Sequence, residues 1–162
     1  MNIVFNPDAV LAKYPESLPR YTSYPPANHF QPGGGVAQRD AFVAAVDAAP
    51  AVSAYIHIPY CDRLCWFCGC HTKQTLRYDP VRTYVTALIA EIGIWQQQLT
   101  RKPRLSRLHL GGGSPSLLQP DDLKRMREAL DGAFIIDGET EISLELDRSD
   151  IREGSITGYM DL

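Results

Sequence analysis

The sequence contains no apolar run near the roughly 20 residues that cross a bilayer, and no cluster of Lys or Arg. Sixteen basic residues against 19 acidic ones leave a formal net charge of −3. A membrane span, a polybasic lipid anchor and sequence-independent nucleic-acid binding are excluded, the last two because they need concentrated positive charge. Residues 1–14 carry Asn6, Pro7, Asp8 and Lys13 among their apolar residues. With no basic n-region and no apolar h-region, they do not read as a secretory leader, and a cytoplasmic location is expected. Cysteine is absent outside one short stretch, which holds Cys61, Cys65, Cys68 and Cys70. Thiols this close cannot close the long loops in which disulfides stabilise most. A metal or cluster site is the expected alternative.

What remains is ordinary for a globular protein. The 162 residues are 44% hydrophobic and 22% charged, enough for one domain with a real core. Residues 1–50 read as an N-terminal arm and a helix. Segment 14–35 is rich in Pro, Tyr, Ser and Gly, and Pro19, Pro25, Pro26 and Pro32 forbid a regular helix there. A short helix is expected before it, near Pro7 to Lys13, and another from Val36 to Ala48, with Phe42, Val43 and Val46 on one side.

Residues 51–162 read as about three βα units. Strands are expected at 53–58, 105–110 and 141–147. A helix is expected over 79–98, with Asp79 as N-cap and Pro80 at its first position. Another starts at about Pro120 and stops at Gly132. Strands alternating with helices imply a parallel sheet. Ile56, Ile58, Leu108, Leu110, Ile142, Leu144 and Leu146 form one apolar face for helices to cover. The opposite face carries Tyr55, His57, Arg107, His109, Ser143, Glu145 and Asp147, and such polar residues on a parallel sheet suggest a cavity.

The unusual loops share one rim, the C-terminal ends of the strands, where α/β folds place their sites. Cys61-x3-Cys65-x2-Cys68 sets three thiols on one tight loop, which suits a corner of an iron–sulfur cluster with one iron left open. Structural zinc, with Cys70 or His71 as a fourth ligand, is the competing reading, although zinc ligands are usually paired across a longer loop. Gly111-Gly112-Gly113 lets a ligand approach the backbone, and its free N–H groups could receive an anion. It is neither a P-loop nor a dinucleotide fingerprint. Glu145 could bind a ribose hydroxyl or an ammonium group, or simply pair with Arg107. His57 and His109 could be ligands or proton donors, or satisfied hydrogen-bonding residues.

Cys61-x3-Cys65-x-Phe67-Cys68 matches the three-cysteine motif of radical S-adenosylmethionine enzymes, and the glycine triplet resembles their GGE-type loop. YTSYPPANHF (21–30), YIHIPYC (55–61), CWFCGCHT (65–72) and LHLGGGSPS (108–116) together resemble the oxygen-independent coproporphyrinogen III oxidase family. The related heme chaperone branch lacks the Gly-Cys after the third cysteine and the Tyr-Thr-Ser-Tyr-Pro arm. The resemblance implies the N-terminal part of a partial (β/α) barrel with parallel strands, preceded by the extended arm and helix. It implies a 4Fe-4S cluster on Cys61, Cys65 and Cys68, and two S-adenosyl-L-methionine molecules. Tyr55, Gly112 and Glu145 would contact the first of these; Phe67, Gly113 and Ser114 would contact the second. Cys70 would matter without ligating the cluster. Arg20 and the 21–25 arm would lie near the substrate.

The implied reaction is the oxidative decarboxylation of two propionates of coproporphyrinogen III, giving protoporphyrinogen IX. An electron-donor protein is the implied partner, and the full-length family is expected to be monomeric. This chain departs from the pattern in three ways. It has Ser114 and Ser116 in place of Thr, Arg148 in place of the usual Pro, and less than half the family's length. An incomplete, weakly active or inactive piece is therefore expected, with a non-catalytic cluster- or tetrapyrrole-binding remnant as the alternative.

Overall fold

A computed structural model of the chain describes residues 35–66 and 68–147, together with Asp8, Ala12, Lys13, His29 and Tyr159. The chain divides into two units, Met1–Gly35 and Val36–Leu162. In the first, Asp8, Ala12 and Lys13 are helical. The arm expected at 14–35, with Arg20 and Tyr21 to Pro25, otherwise lies outside the described residues, apart from His29 and Gly35.

The second unit opens with helix α1 (Val36–Ala48) and strand β1 (Ala51–Ile58). Two short strands follow, β2 (Tyr60–Cys61) and β3 (Lys73–Gln74), and then helix α2 (Asp79–Gln98). Strand β4 (Arg104–Gly112) leads through a 3₁₀ turn (Pro115–Leu117) into helix α3 (Pro120–Ala133) and strand β5 (Glu141–Leu144). β1, β4 and β5 form a parallel sheet in the order β1-β4-β5. β2 and β3 pair separately, also in parallel.

The apolar face of the sheet builds the core. Ile58, Leu105, Leu108 and Leu110 are fully buried, and Val81, Val85, Leu123, Met126 and Leu130 of α2 and α3 close over them. The i, i+3, i+4 spacing of these helix residues puts them on one stripe facing the sheet. One charge is buried with them. The Asp122 side chain is only 3% exposed, yet Tyr78 Oη donates to it at 2.7 Å and Arg125 Nη1 at 2.7 Å, with Arg82 Nε at 3.8 Å. A buried carboxylate needs such partners to stay ionised. Burial pushes the Tyr78 hydroxyl well above the usual phenol range.

Four expectations are corrected. Asp79 is not the N-cap of α2. Tyr78 is, without a side-chain bond, and Asp79 lies in the first turn beside Arg77 at 2.9 Å, which holds its carboxyl below the usual range. Gly132 does not stop α3, which runs on to Ala133. The first extended residue is Phe134. A Cβ at Gly132 would meet the Gln96 amide of α2 at 3.4 Å, an ordinary contact, so this glycine marks where two helices lie close.

The third strand ends at Leu144, not at 147. Glu145 N still bonds Leu110 O at 3.0 Å, but Gly112 N then goes to the Glu145 carboxylate at 3.1 Å, and the backbone ladder stops there. The third strand's apolar residues are also only partly covered: Leu144 packs against the core, but Ile142 is 39% and Leu146 50% exposed. β5 is an edge of the sheet among the described residues.

The β4–β5 connection is pinned by charge. Arg104 donates to both oxygens of Asp137, at 2.9 and 3.1 Å, and to Glu139 at 2.5 Å. The guanidinium, followed by the Glu139 backbone N–H, holds the Asp137 carboxyl down to about 2, against 3.8 ordinarily. A depressed carboxyl stabilises the fold above its unfolded-state value and loses that contribution as pH falls through its folded value. The melting temperature is expected to fall more steeply from pH 4 to pH 2 in the wild type than in Asp137→Asn, and equal slopes would contradict this.

Candidate functional site

The parallel register brings the chemically distinctive residues to one rim. β1 runs into the cysteine loop, β4 ends in the glycines, and Glu145 follows β5. The loop's neck is tied by main-chain bonds, Lys73 N to Pro59 O at 2.8 Å and Thr75 N to Cys61 O at 2.9 Å. Cys61 therefore lies within β2 and is partly buried, whereas Cys65, Cys68 and Cys70 are exposed. Inside the loop, Cys68 N bonds Cys65 O at 3.1 Å. All four thiols are free. Thr72 Oγ1 lies 3.3 Å from Cys61 Sγ. Sequence reasoning passed over Thr72, whose only signal was its place in the cysteine stretch. Phe67 lies outside the described residues, as does Arg148.

The Cys70 thiol is pushed up by desolvation first, then by Cys68, by Glu145 and by Cys61. The Tyr55 hydroxyl is pushed up by desolvation first, then by Glu145 and Cys70. Cys61, Cys68, Cys70, Tyr55 and Glu145 thus share one electrostatic neighbourhood.

The glycine triplet is shaped by space. Gly112 has φ +110°, a backbone conformation that disfavours a side chain, and a Cβ there would lie 2.6 Å from the His57 ring. A Cβ at Gly113 would lie 2.5 Å from Tyr60 O. At Gly111 it would lie 2.8 Å from Glu145 Oε1 and 3.0 Å from His109 Nε2.

The expectation that N–H groups of this loop receive an anion is met within the chain at Gly112 and not at Gly113. Gly113 N bonds Ile58 O at 2.8 Å, Ser114 N bonds Tyr60 O at 2.7 Å, and Gly112 N is taken by Glu145. The loop continues the sheet, so its donors are used by neighbouring strands. Ser114 is buried.

Glu145 does not pair with Arg107, whose partner is Glu141 at 2.9 Å. Its carboxylate instead accepts from Gly112 N and contacts His109 Nε2 at 3.3 Å. His109 Nδ1 meets Ser143 Oγ at 2.7 Å. His57 Nε2 donates to His71 O at 2.9 Å, and the Tyr55 hydroxyl meets His57 Nδ1 at 3.0 Å. Both histidines are satisfied by neighbours.

The expected cavity on this face is absent among the described residues: it is open, with Tyr55 57% exposed. A cleft of about 390 Å³ opens instead along the outer edge of β1, lined by Phe42, Tyr84, Leu88 and Trp95 among others. It is apolar and does not reach the cysteine loop. Among the described residues, no three His, Cys, Asp or Glu side chains converge on a single-ion site. The donor set fits a thiolate-held iron–sulfur group in its chemistry, with reduced cysteines on an exposed loop whose neck is fixed without them.

A parallel β/α sheet with a three-cysteine loop on its C-terminal rim is the arrangement of the radical S-adenosylmethionine class. The structure superposes on coproporphyrinogen III oxidase from Escherichia coli, described as a radical SAM enzyme, with a TM-score of 0.79 at 32% identity, covering 95% of this chain and 34% of that one. No protein-family profile matches the chain. It is 42% identical over 143 residues to oxygen-independent coproporphyrinogen III oxidase of Paracoccus denitrificans, covering 88% of this chain and 32% of the relative. It is 38% identical over 145 residues to the enzyme of the same name in Escherichia coli, covering 88% and 31%. The chain is thus related to the oxygen-independent coproporphyrinogen III oxidases and spans about a third of the length of the curated relatives it matches. Among the described residues, no helix is long and apolar enough to cross a membrane.

Proposed function

We propose that this chain carries the cluster loop and the first cofactor contacts of an oxygen-independent coproporphyrinogen III oxidase, acting in the cytoplasm with an electron-donor protein. The observation that carries this reading is the meeting of the thiol loop, the side-chain-free turn at Gly112 and the Glu145 carboxylate on one rim of a parallel sheet. Cys61, Cys65 and Cys68 are the residues to hold a 4Fe-4S cluster. A cluster held there would supply the one-electron reduction by which this class cleaves S-adenosylmethionine to start hydrogen abstraction from a substrate.

The chain's own residues hold and orient. Glu145 presents a carboxylate near Tyr55, held at one oxygen by Gly112 N and at the other by His109 Nε2, which suits the positively charged methionyl end of the cofactor. Gly112 carries no side chain, so the His57 ring can lie close against the turn while the Gly112 N–H holds the Glu145 carboxylate. Gly113 and Ser114, with Phe67, are the candidates for a second cofactor molecule. Cys70 interacts with Cys68 and is assigned a role other than cluster ligation.

The open sheet face favours a second statement: these residues alone bind the cluster without turning over coproporphyrinogen III. A radical needs a site closed to water, and the relatives this chain matches are about three times its length. The test is electron paramagnetic resonance of the anaerobically reconstituted, reduced protein, with and without S-adenosylmethionine. A 4Fe-4S signal that the cofactor changes is the expected result. Zinc in place of iron and sulfide would overturn the cluster assignment, and a signal indifferent to the cofactor would leave only the binding remnant.

A further inference from the structure

The polar face of the sheet holds one row that neither the cluster loop nor the glycine turn explains. Tyr55, His109 and Ser143 are register partners across β1, β4 and β5. Their side chains emerge on the same face, side by side. The Tyr55 and His109 rings stack, with centroids 5.6 Å apart and planes inclined by 21°. On the other side of the ring, His109 Nδ1 lies 2.7 Å from Ser143 Oγ. Its Nε2 lies 3.3 Å from Glu145 Oε1. A carboxylate only accepts, so Nε2 carries the proton, and in the neutral ring Nδ1 accepts from the Ser143 hydroxyl. Gly111 makes this meeting possible, since a Cβ there would intrude on both Glu145 Oε1 and His109 Nε2.

We propose that His109 is a positioning residue that fixes Tyr55 and Glu145 together, presenting a prearranged aromatic and carboxylate pair to a cationic ligand. The inference rests on the reading above that this rim takes S-adenosylmethionine. One ring does two tasks. Its face limits the swing of Tyr55, whose hydroxyl is held separately by His57 at 3.0 Å. Its edge holds one oxygen of Glu145 while Gly112 N holds the other at 3.1 Å. A carboxylate held at both oxygens loses little freedom when a ligand arrives, and this prearrangement is what favours binding. Glu145 sets the tautomer, and the Ser143 hydroxyl supports it by donating to Nδ1. Without that hydroxyl, Nδ1 has no donor beside it and the ring is held less firmly towards Glu145.

Three variants of the cluster-reconstituted protein test this: His109→Leu, His109→Gln and Ser143→Ala. The readouts are iron and sulfide content, the affinity for S-adenosylmethionine by calorimetry, and the cofactor-induced change in the cluster's resonance signal. His109→Leu is expected to keep its cluster but bind the cofactor roughly tenfold more weakly, the scale of one lost hydrogen bond to a charged group. His109→Gln, which keeps an N–H donor, is expected to recover part of that loss. Ser143→Ala is expected to fall between His109→Leu and the wild type. If the wild type binds the cofactor and His109→Leu binds it within twofold, the positioning role is refuted while the cofactor site stands. If the wild type itself does not bind, the cofactor reading fails and this inference fails with it. Should His109→Leu not fold, His109→Gln and Ser143→Ala carry the same comparison.

Discussion

Gly112→Ala is expected to destabilise the protein by roughly 2–5 kcal/mol and to weaken cofactor binding. Two separate costs combine. A residue with a Cβ held at φ +110° is strained by about 1–2 kcal/mol on backbone grounds alone. The Cβ would also lie 2.6 Å from two atoms of the His57 ring. That ring cannot move freely, because Tyr55 and the His71 carbonyl hold both its nitrogens. Overpacking of this kind costs about 1–3 kcal/mol. The costs can be separated by a double-mutant cycle with His57→Ala, measured by chemical denaturation. Removing the ring should relieve the clash and leave the backbone strain, so Gly112→Ala should cost about half as much in that background. Strict additivity would mean that His57 is not what excludes a side chain there.

Leu108→Ala is expected to cost about 2–5 kcal/mol, the range for deleting a buried leucine where the surroundings only partly collapse. Leu108 sits in the central strand, fully buried in the same cluster as Ile56, Val85, Met126 and Leu130. A denaturation midpoint shifted at constant slope would measure it. The control is Leu146→Ala. The alternating pattern treats both leucines alike, but Leu146 is half exposed, and a change there is expected to stay within about 0.5 kcal/mol. Similar losses at the two positions would show that something covers the β5 edge in solution.

These two leucines show where a sequence pattern stops informing. Alternation identifies which side of a strand is apolar. Whether that side is buried depends on how far α2 and α3 reach, which is a tertiary fact. Helix α2 is legible to its ends because Asp79-Pro80 and an unbroken 3.6-residue stripe up to Gln98 agree with the packing. Gly132 misleads because a glycine in the last turn of a helix resembles a stop, and only the nearness of Gln96 shows otherwise. The paired strands β2 and β3, two residues each, have no periodicity to find. At the rim, motif spacing locates Cys61, Gly112 and Glu145. It cannot show that the Gly113 and Ser114 N–H groups are already bonded to Ile58 and Tyr60, because that follows from register. His109 is visible as a residue and invisible as a clamp for the same reason.

The β2–β3 tie has a bearing on the order of assembly. The neck of the cysteine loop is held by main-chain bonds on both sides of residues 62–72, and no cysteine belongs to the buried core. Small zinc domains fold only as their metal arrives. Here the sheet and helices can form first, and a cluster seated on the loop is a late addition to a finished scaffold. Iron supply then sets the fraction of molecules that are charged without setting how many are folded. A molecule that loses its cluster is then expected to keep its scaffold, which circular dichroism before and after chelation of the iron would check.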